Sequence, residues 1–240
     1  MSAETDQPWQ LDGRIVLVTG AGDGLGRATA IALAQAGATV IATSKRRRRL
    51  EALDDAIRAE GKTATLLPLD LAEPEKILPI GPSIYQRFGR LDAVVHCAAV
   101  MGQLMPTAQL EPEILRQSIT VNALATQALI ATLDPLLQAA PDARAFFLTD
   151  RTAQRGKPFF AAYTASKLAM EAVVLAYAAE TRQSNLEVRL VAPPPLATKL
   201  RKAAYPGESA AKQLATDLAA GRLLALLQSP VLPTGEVIDL

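Results

Sequence analysis

The sequence has little of several residue types, and each shortage excludes a class of protein. Its 240 residues include one cysteine and one histidine, so an internal disulfide is impossible and an ordinary zinc site lacks ligands. Aromatic residues make up 4% of the chain and the formal net charge is +1, which argues against a nucleic-acid surface built on base stacking and phosphate attraction. No apolar run reaches the roughly 18 residues of a membrane helix, because Lys167 and Glu171 interrupt the best candidate.

Half of the residues are hydrophobic, whereas a disordered chain needs low hydrophobicity and high net charge. The polar start, MSAETDQPWQ, has no basic-then-apolar targeting pattern. We therefore expect a compact cytoplasmic protein that forms a single domain over residues 1–240. Residues 1–12 are expected to be a flexible lead-in to that domain.

Short apolar stretches that suit strands alternate with longer stretches that suit helices. Strands are predicted at residues 14–19, 39–43, 63–69, 92–97, 143–149, 186–192 and 236–240, and the main helices at 25–36, up to about 60, 112–137 and 161–182. Strands that are apolar throughout indicate a parallel sheet covered on both faces. We predict one α/β domain, a Rossmann-like, doubly wound parallel sheet of about seven strands. Ligands of such sheets bind beyond the carboxyl ends of the strands.

The first predicted strand runs into the glycine-rich segment TGAGDGLG at residues 19–26, and a predicted helix follows. Glycines let the backbone turn tightly and approach a pyrophosphate, and the helix N-terminus offers free N–H groups. A glycine-rich turn without a ligand is the alternative. The residues assigned to dinucleotide binding in this loop are Gly20, Asp23, Gly24, Leu25 and Gly26.

The end of the second strand is where dinucleotide folds bind the adenosine ribose. Proteins that use NAD place an acidic residue there, but this chain has Ser44 followed by a basic run at residues 45–49. The charge favours NADP(H) over NAD(H). Ser44, Lys45 and Arg46 are the candidates, with Arg48 and Arg49 expected on a solvated helix face. A surface charge cluster without a ligand is the alternative.

Tyr163 and Lys167 are four residues apart in a predicted helix, so they share one face. A phenol has an ordinary pKa near 10. A nearby ammonium favours the phenolate and can bring the phenol toward the range useful for acid–base catalysis. Such a pair arises often by chance, and it gains weight here from the glycine loop.

Together, the glycine loop, Tyr163 and Lys167 resemble the short-chain dehydrogenase/reductase family, over about residues 13–240. The resemblance implies that Asn122 helps to hold the lysine and a proton-relay water. It also implies that Asp70 contacts the adenine and that Thr198 meets the nicotinamide carboxamide. The remaining cofactor-binding positions that the resemblance implies are Leu71, Cys97, Ala98, Ala99 and Pro193.

One catalytic position departs from the family, which has a serine 13 residues before the tyrosine where this chain has Asp150. An ionised aspartate cannot donate a hydrogen bond and repels the negative charge that develops on the substrate oxygen. Losing a preorganised donor can lower a rate by about 10²–10³. Three compensations are open: burial protonates Asp150, Thr149 or Thr152 supplies the hydroxyl, or Arg151 neutralises Asp150.

The neighbourhood of the cofactor also departs from the family. Ala99 and Pro194 stand where the family has glycine. Cys97 is expected to be a small buried residue, and His96 to pack at the end of the fourth strand. The segment 196–220 is expected to form the substrate loop or a mobile lid, in which Lys199, Arg201 and Lys202 could meet an anionic substrate or simply face solvent.

These observations predict an NADP-dependent oxidoreductase that transfers hydride between NADPH and a small carbonyl or alcohol substrate, without a metal. Tyr163 is expected to act as acid or base, Lys167 to tune it, Asn122 to position the relay, and Asp150 to lie at the substrate oxygen. The apolar helix at 161–182 favours a homodimer or homotetramer. Neither a nucleic acid nor a membrane is expected as a partner. The alternative is a dinucleotide-binding sensor or assembly protein that retains the fold without the chemistry.

Overall fold

The computed structural model of the protein describes residues 9–151, 156–230 and 237–240. Within these ranges one parallel sheet runs in the order β3-β2-β1-β4-β5-β6-β7. Its strands are β1 (Ile15–Thr19), β2 (Thr39–Ser44), β3 (Ala64–Pro68), β4 (Ala93–His96), β5 (Ala143–Leu148), β6 (Leu186–Ala192) and β7 (Val237–Asp239). The strand order reverses between β1 and β4, and this reversal opens a crevice at the carboxyl edge of the sheet.

Helices cover both faces of the sheet, which confirms the predicted fold. They are α1 (Gly24–Gln35), α2 (Arg47–Ala59), α3 (Ile80–Phe88), α4 (Pro112–Ile119), α5 (Ala125–Gln138), α6 (Ala161–Glu180), α7 (Lys199–Ala204) and α8 (Thr216–Gln228). Neighbouring residues of a strand point to opposite faces. Phe146 packs with residues of α1, α2 and α8, whereas Phe147 packs with residues of α3, α5 and α6. Both rings are almost fully buried, so the sheet separates two apolar cores.

The predicted lead-in is wrong for residues 9–12. Trp9 and Leu11 are buried in the core on the α1 side, and the guanidinium groups of Arg14 and Arg144 lie 4.4 and 5.1 Å from the Trp9 ring. An indole ring buries a large apolar area, which favours docking of this segment over a loose arrangement. Residues 1–8 of the predicted lead-in lie outside the described residues.

The long helix predicted at 112–137 is interrupted by a π-helical turn. Its regular parts are α4 and α5, and the turn between them spans Thr120–Leu124. A π turn adds one residue per turn and so changes the direction in which the side chains point. Asn122 lies in this turn and is buried. Of the last predicted strand, 236–240, residue 236 lies outside the described ranges.

Among the residues that the structure describes, no helix is both long enough and apolar enough to cross a membrane.

Candidate active site

A cleft of about 430 Å³ opens at the carboxyl edge of the sheet, where the strand order reverses. The glycine loop, the ends of the central strands and the segment that follows β6 form its walls. The residues that the sequence analysis assigned and that line this cleft are Gly20, Asp23, Gly24, Leu25, Gly26, Ser44, Lys45, Asp70, Leu71, Cys97, Ala98, Ala99, Asp150, Tyr163, Lys167, Pro193 and Thr198. Two other assigned residues, Arg46 and Asn122, are not in its lining.

The glycine loop packs against neighbouring backbone so closely that side chains do not fit at two of its positions. Gly20 has a φ of +67°, and a Cβ there would lie 2.9 Å from the backbone of Ala98. A Cβ on Gly26 would lie 2.5 Å from the carbonyl oxygen of Gly20. The loop therefore forms a cradle of bare backbone at the N-terminus of α1, where the helix dipole is positive.

Basic residues at the β2 end of the cleft are paired with acids. Lys45 Nζ lies 2.7 Å from Asp70 Oδ2, and Arg49 and Lys199 donate to Asp23 Oδ2 over 2.9 and 3.0 Å. Burial opposes ionisation of Asp23. The hydrogen bonds from Lys199 and from the Gly24 N–H outweigh that effect and lower the pKa of Asp23.

The positions of two arginines correct the sequence prediction. Arg49, expected on a solvated helix face, lines the cleft beside Asp23. Arg46, expected in the ribose site, is exposed just before α2. Arg46 is the extended residue that precedes α2, whereas Arg49 is held at the cleft by its ion pair with Asp23.

Tyr163 and Lys167 lie on adjacent turns of α6, at its N-terminal end. Both are nearly buried, with 4% and 3% of their surface exposed. Lys167 Nζ donates a hydrogen bond of 2.7 Å to the Leu148 carbonyl at the end of β5. The Tyr163 hydroxyl donates a hydrogen bond of 3.1 Å to Asp150 Oδ2.

The electrostatics of this pair differ from the sequence-based expectation of a phenol pKa near neutrality. Burial, together with the charge and the hydrogen bond of Asp150, raises the pKa of Tyr163 well above its ordinary value. Burial lowers the pKa of Lys167 to about 8, although the carboxylates of Asp150 and Glu171 oppose that shift. Near pH 7 the site thus holds a protonated phenol and a cationic lysine.

Thr149 and Arg151, two of the residues that could compensate for Asp150, have side chains that are engaged elsewhere. The Thr149 hydroxyl donates to Glu171, and Arg151 pairs with Asp239 at 2.9 Å. Thr152 lies outside the described residues.

The charge of Asp150 acts on three nearby cations. It favours the ionised form of Arg201, whose pKa is raised mainly by its hydrogen bond to Glu208, and it opposes the lowering of the pKa values of Lys157 and Lys167 by burial.

Asn122 is held by hydrogen bonds to the loop after β4 and to α6, and the relay role that the resemblance implies stays a prediction. Its Oδ1 accepts from the Val100 N–H at 2.8 Å, and its Nδ2 donates to the Val100 carbonyl at 2.7 Å and to Ser166 Oγ at 2.8 Å. Ser166 Oγ in turn donates to the Tyr163 carbonyl at 2.8 Å. Asn122 therefore fixes the loop after β4 against α6, and its side chain points to Val100 and Ser166 rather than to Lys167.

His96 is buried in surroundings that suit packing, as the sequence predicts, whereas Cys97, expected to be buried, is only partly buried in the wall of the cleft. Both ring nitrogens of His96 are bonded, Nδ1 to Thr19 Oγ1 at 2.8 Å and Nε2 to Thr126 Oγ1 at 3.1 Å. Burial lowers the pKa of His96 to about 3 and raises that of the Cys97 thiol to about 12. An uncharged imidazole and an unionised thiol are poor candidates for acid–base or nucleophilic catalysis at neutral pH.

The segment after β6 closes one side of the cleft. Leu196 pairs with Leu214 in a short parallel bridge, and Thr198 Oγ1 caps α7 by accepting from the Arg201 N–H at 3.1 Å. The bond between Lys199 and Asp23 joins this segment to the glycine loop. A mobile lid at 196–220 stays a prediction.

Sequence reasoning missed Glu171 and Ser166, and helical spacing could have found them. Glu171 follows Lys167 by four residues and Ser166 follows Tyr163 by three, so both lie on the catalytic side of α6.

Over the described ranges, no group of three or more His, Cys, Asp or Glu side chains is placed to hold a metal ion.

Residues 14–209 match the model of the short chain dehydrogenase family. The uncharacterized oxidoreductase YciK of Escherichia coli (strain K12) is 33% identical over 211 residues, which cover 86% of this chain and 83% of YciK. A short chain dehydrogenase of Escherichia coli CFT073 in complex with NADPH has a TM-score of 0.90 at 29% identity and covers 98% of each chain. One from Shigella flexneri 2a in complex with NADP has a TM-score of 0.89 at 29% identity, covering 96% of this chain and 98% of that one.

Proposed function

Because the chain belongs to the short-chain dehydrogenase family, we propose that it is an NADP(H)-dependent oxidoreductase acting on a small carbonyl or alcohol substrate. The observation that carries the proposal is the continuous cleft. It joins the glycine loop, Lys45 and Arg49 at one end to Tyr163 and Lys167 at the other. The similar structures that hold NADP or NADPH support the choice of cofactor.

The residues of the cleft fit such a cofactor. The bare backbone of the glycine loop suits a pyrophosphate at the N-terminus of α1, and Lys45 and Arg49 suit the additional phosphate of NADP. Asp70 would contact the adenine, Lys167 the nicotinamide ribose and Thr198 the carboxamide. When bound, NADPH supplies the hydride of the reaction.

The protein's own part in the reaction is the handling of one proton. Tyr163 is protonated at neutral pH because its pKa is raised, so it serves as the acid that protonates the substrate oxygen. This protonation state favours reduction over alcohol oxidation, which needs a phenolate as the base. Lys167, bonded to the Leu148 carbonyl, places a positive charge near that oxygen.

A second candidate is a dinucleotide-binding protein without turnover, and the bond from Tyr163 to Asp150 favours it. In that arrangement the phenol proton is directed to a carboxylate rather than to a substrate. A protein of this kind would bind NADPH and reduce no ketone. The expected homodimer or homotetramer and the cytoplasmic location are likewise proposals.

Replacing Lys45 or Arg49 by alanine is expected to weaken NADPH binding by about tenfold each. Each removes one charge-assisted hydrogen bond to the additional phosphate, worth about 1.5–3 kcal/mol before solvent exposure reduces it. Binding of NADH, which lacks that phosphate, should change by less than about twofold by the same argument. Titration of each variant with NADPH and NADH, followed by nicotinamide fluorescence, measures both effects.

Arg48→Ala is the matched control, because Arg48 belongs to the same basic run but is exposed on α2. Its affinity for NADPH should equal that of the wild type. Equal losses from all three variants would show that only the net charge of the run matters. Unchanged NADPH affinity in Lys45→Ala and Arg49→Ala would contradict the proposed phosphate site.

Gly26→Ala is expected to weaken NADPH binding by about 100-fold. The added Cβ would meet the Gly20 carbonyl oxygen at 2.5 Å, so the loop must move away from α1. Loss of about two charge-assisted bonds to the pyrophosphate, at about 1.5 kcal/mol each, accounts for this factor. Gly221→Ala on α8 is the control, because its Cβ would meet open space. Normal NADPH binding by Gly26→Ala would contradict the cradle.

A further inference from the structure

The only histidine of the sequence, His96, is hydrogen-bonded toward both functional ends of the cleft. We propose that His96 is a positioning residue, which sets the cofactor cradle and the helix of Tyr163 against each other through one directed chain of hydrogen bonds. His96 does not line the cleft, so it serves the reaction without touching substrate or cofactor. The proposal therefore rests on the proposed function and adds a residue to it.

The neighbours of the imidazole assign its protons. The Thr126 hydroxyl donates to the Asn122 carbonyl at 2.8 Å, and a hydroxyl has one proton to give. Its oxygen must therefore accept from His96 Nε2, 3.1 Å away, so Nε2 carries the ring proton. Burial lowers the pKa of His96 to about 3, hence the ring is neutral at pH 7 and Nδ1 is bare. Nδ1 then accepts from Thr19 Oγ1 at 2.8 Å.

The Thr19 end of the chain belongs to the cofactor cradle. Thr19 is the last residue of β1, directly before Gly20, and its Oγ1 also accepts from the Ala98 N–H at 3.2 Å. The backbone of Ala98 leaves no room for a Cβ on Gly20, so the glycine loop and the loop after β4 lie in contact. Because Thr19 gives its proton to His96, its oxygen stays an acceptor for Ala98. This arrangement fixes the spacing of two walls of the cleft.

The Thr126 end of the chain leads to the proton donor. The Asn122 carbonyl is held by the Thr126 hydroxyl, whose oxygen is in turn occupied by His96 Nε2–H. The Asn122 side chain donates to Ser166 Oγ, which donates to the Tyr163 carbonyl. His96 therefore acts on the first turns of α6 through Thr126 and the π turn.

The chain is closed to water and its protons all point the same way, from the loop after β4 to the π turn. Its four side chains are at most 1% exposed: Thr19, His96, Thr126 and Asn122. A buried donor or acceptor that loses its partner costs free energy. Neither end can therefore shift without a rearrangement of the whole chain, which keeps the cradle and α6 in one relative position.

Two amide side chains each preserve one half of the chain. The amide atoms of asparagine are attached to Cγ, as Nδ1 is in histidine. His96→Asn can thus accept from Thr19 but does not reach Thr126. In glutamine the amide lies one carbon further out, at the distance of Nε2. His96→Gln can thus donate to Thr126 but leaves the Thr19 hydroxyl without its acceptor.

The two variants are expected to show opposite defects. His96→Gln should weaken NADPH binding by about tenfold, as for one buried hydrogen bond left unpaired, and His96→Asn by less than about twofold. His96→Asn should lower kcat for reduction of 4-nitrobenzaldehyde by about 10- to 100-fold, because a displacement of up to about 1 Å is costly at a reacting group. The loss of kcat in His96→Gln should be smaller. Fluorescence titration and steady-state kinetics measure these quantities.

Thr126→Val cuts the second half of the chain without changing the histidine, and it should behave like His96→Asn. Thr132→Val is the matched control on the same helix, α5. The Thr132 hydroxyl also joins two groups, since it accepts from the Gly81 N–H at 3.1 Å and donates to the Leu78 carbonyl at 2.6 Å, outside the cleft. This control should keep the wild-type NADPH affinity and kcat.

Nitrogen NMR tests the direction of the chain without turnover. Because the sequence has one histidine, protein labelled with ¹⁵N-histidine and prepared without a histidine tag gives the signals of His96 alone. At pH 7 the spectrum should show a proton bonded to Nε2 and a bare Nδ1. A ring that carries its proton on Nδ1, or that exchanges between the two tautomers, would overturn the proposal.

Equal NADPH affinities of His96→Asn and His96→Gln would overturn it as well, because a residue that only packs makes no distinction between the two amides. The failure of the proposed function has a different signature. If the wild type binds NADPH but does not reduce 4-nitrobenzaldehyde, that result counts against the reductase, whereas the binding contrast and the spectrum still decide the role of His96. If the wild type does not bind NADPH, both proposals fail.

Discussion

Tyr163→Phe is expected to lower kcat for ketone reduction by about 10²–10⁴, the range that a positioned general acid supplies. Its affinity for NADPH should change by less than about threefold, because the lost interaction belongs to the transition state. The substitution removes one oxygen and keeps the ring, so the shape of this buried position is conserved. Steady-state kinetics and NADPH titration on the same preparations separate the two quantities.

Tyr177→Phe is the matched control for this variant. Tyr177 lies on the same helix, and its hydroxyl donates to Asp134 Oδ1 over 2.7 Å, outside the cleft. This variant also loses a bond from a phenol to a carboxylate, at a cost in stability of about 1–2 kcal/mol, yet kcat should stay at the wild-type value. A kcat of Tyr163→Phe within about threefold of wild type, far from the range of a lost general acid, would show that another group protonates the substrate.

Lys167→Met is expected to lower kcat by at least about 10³ and to raise the stability of the protein at pH 7. The loss of rate has two sources, the missing positive charge near the substrate oxygen and the missing ribose contact of the proposed cofactor. The gain in stability follows from the burial of Lys167, which lowers its pKa from 10.5 to about 8. Keeping a cation in this position therefore costs the folded state free energy at neutral pH.

The pH dependence follows from the direction of that shift. Below pH 8 Lys167 is protonated in both the folded and the unfolded state, so the free-energy cost of burying its ammonium group is fully present. Between about pH 8 and 10.5 the folded state releases the proton before the unfolded state does, so the stability of the wild type rises with pH. The shift corresponds to roughly 3 kcal/mol, and the lost bond to the Leu148 carbonyl offsets about 1–2 kcal/mol of it.

We therefore expect Lys167→Met to be more stable than the wild type by about 1–2 kcal/mol at pH 7, and this advantage to disappear by about pH 10. Thermal or denaturant unfolding of both proteins across that range measures the difference, and titration of all other groups cancels between them. A variant that is less stable at pH 7, or a difference that does not change with pH, would contradict a cationic buried lysine.

The sequence predicted the fold and most of the cleft lining because both follow from local patterns. Apolar strands that alternate with helices define a parallel sheet, and in such a sheet the carboxyl ends of all strands meet at one edge. Residues as distant as Gly20, Asp70 and Tyr163 could thus be assigned to one cleft from their positions after strands or in helices.

Features that depend on three-dimensional surroundings are harder to predict from the sequence. Nearness to the end of β2 favours Arg46 over Arg49, whereas in the structure Arg49 lines the cleft through its ion pair with Asp23 and Arg46 is exposed. The π turn directs Asn122 to Val100 and Ser166, and no regular helical period contains that turn.

The pKa of Tyr163 shows a third limit. The spacing to Lys167 suggested a lowered value, but the burial of the phenol and the charge of Asp150 have the larger effect and raise it. Burial cannot be deduced from the spacing of two residues. The strength of the bond between Tyr163 and Asp150 likewise depends on how β5 and α6 pack, which only the structure shows.

The central claim, transfer of hydride from NADPH to a small-molecule carbonyl, is tested most directly with isotope. The purified protein is incubated with NADPH that carries deuterium at both positions of the nicotinamide C4, together with a panel of small ketones and aldehydes, and the products are examined by mass spectrometry. The account predicts an alcohol with one deuterium on the former carbonyl carbon, and no such product from Tyr163→Phe on the same timescale. Binding of NADPH without any deuterated alcohol from any compound of the panel would contradict it and favour the dinucleotide-binding protein without turnover.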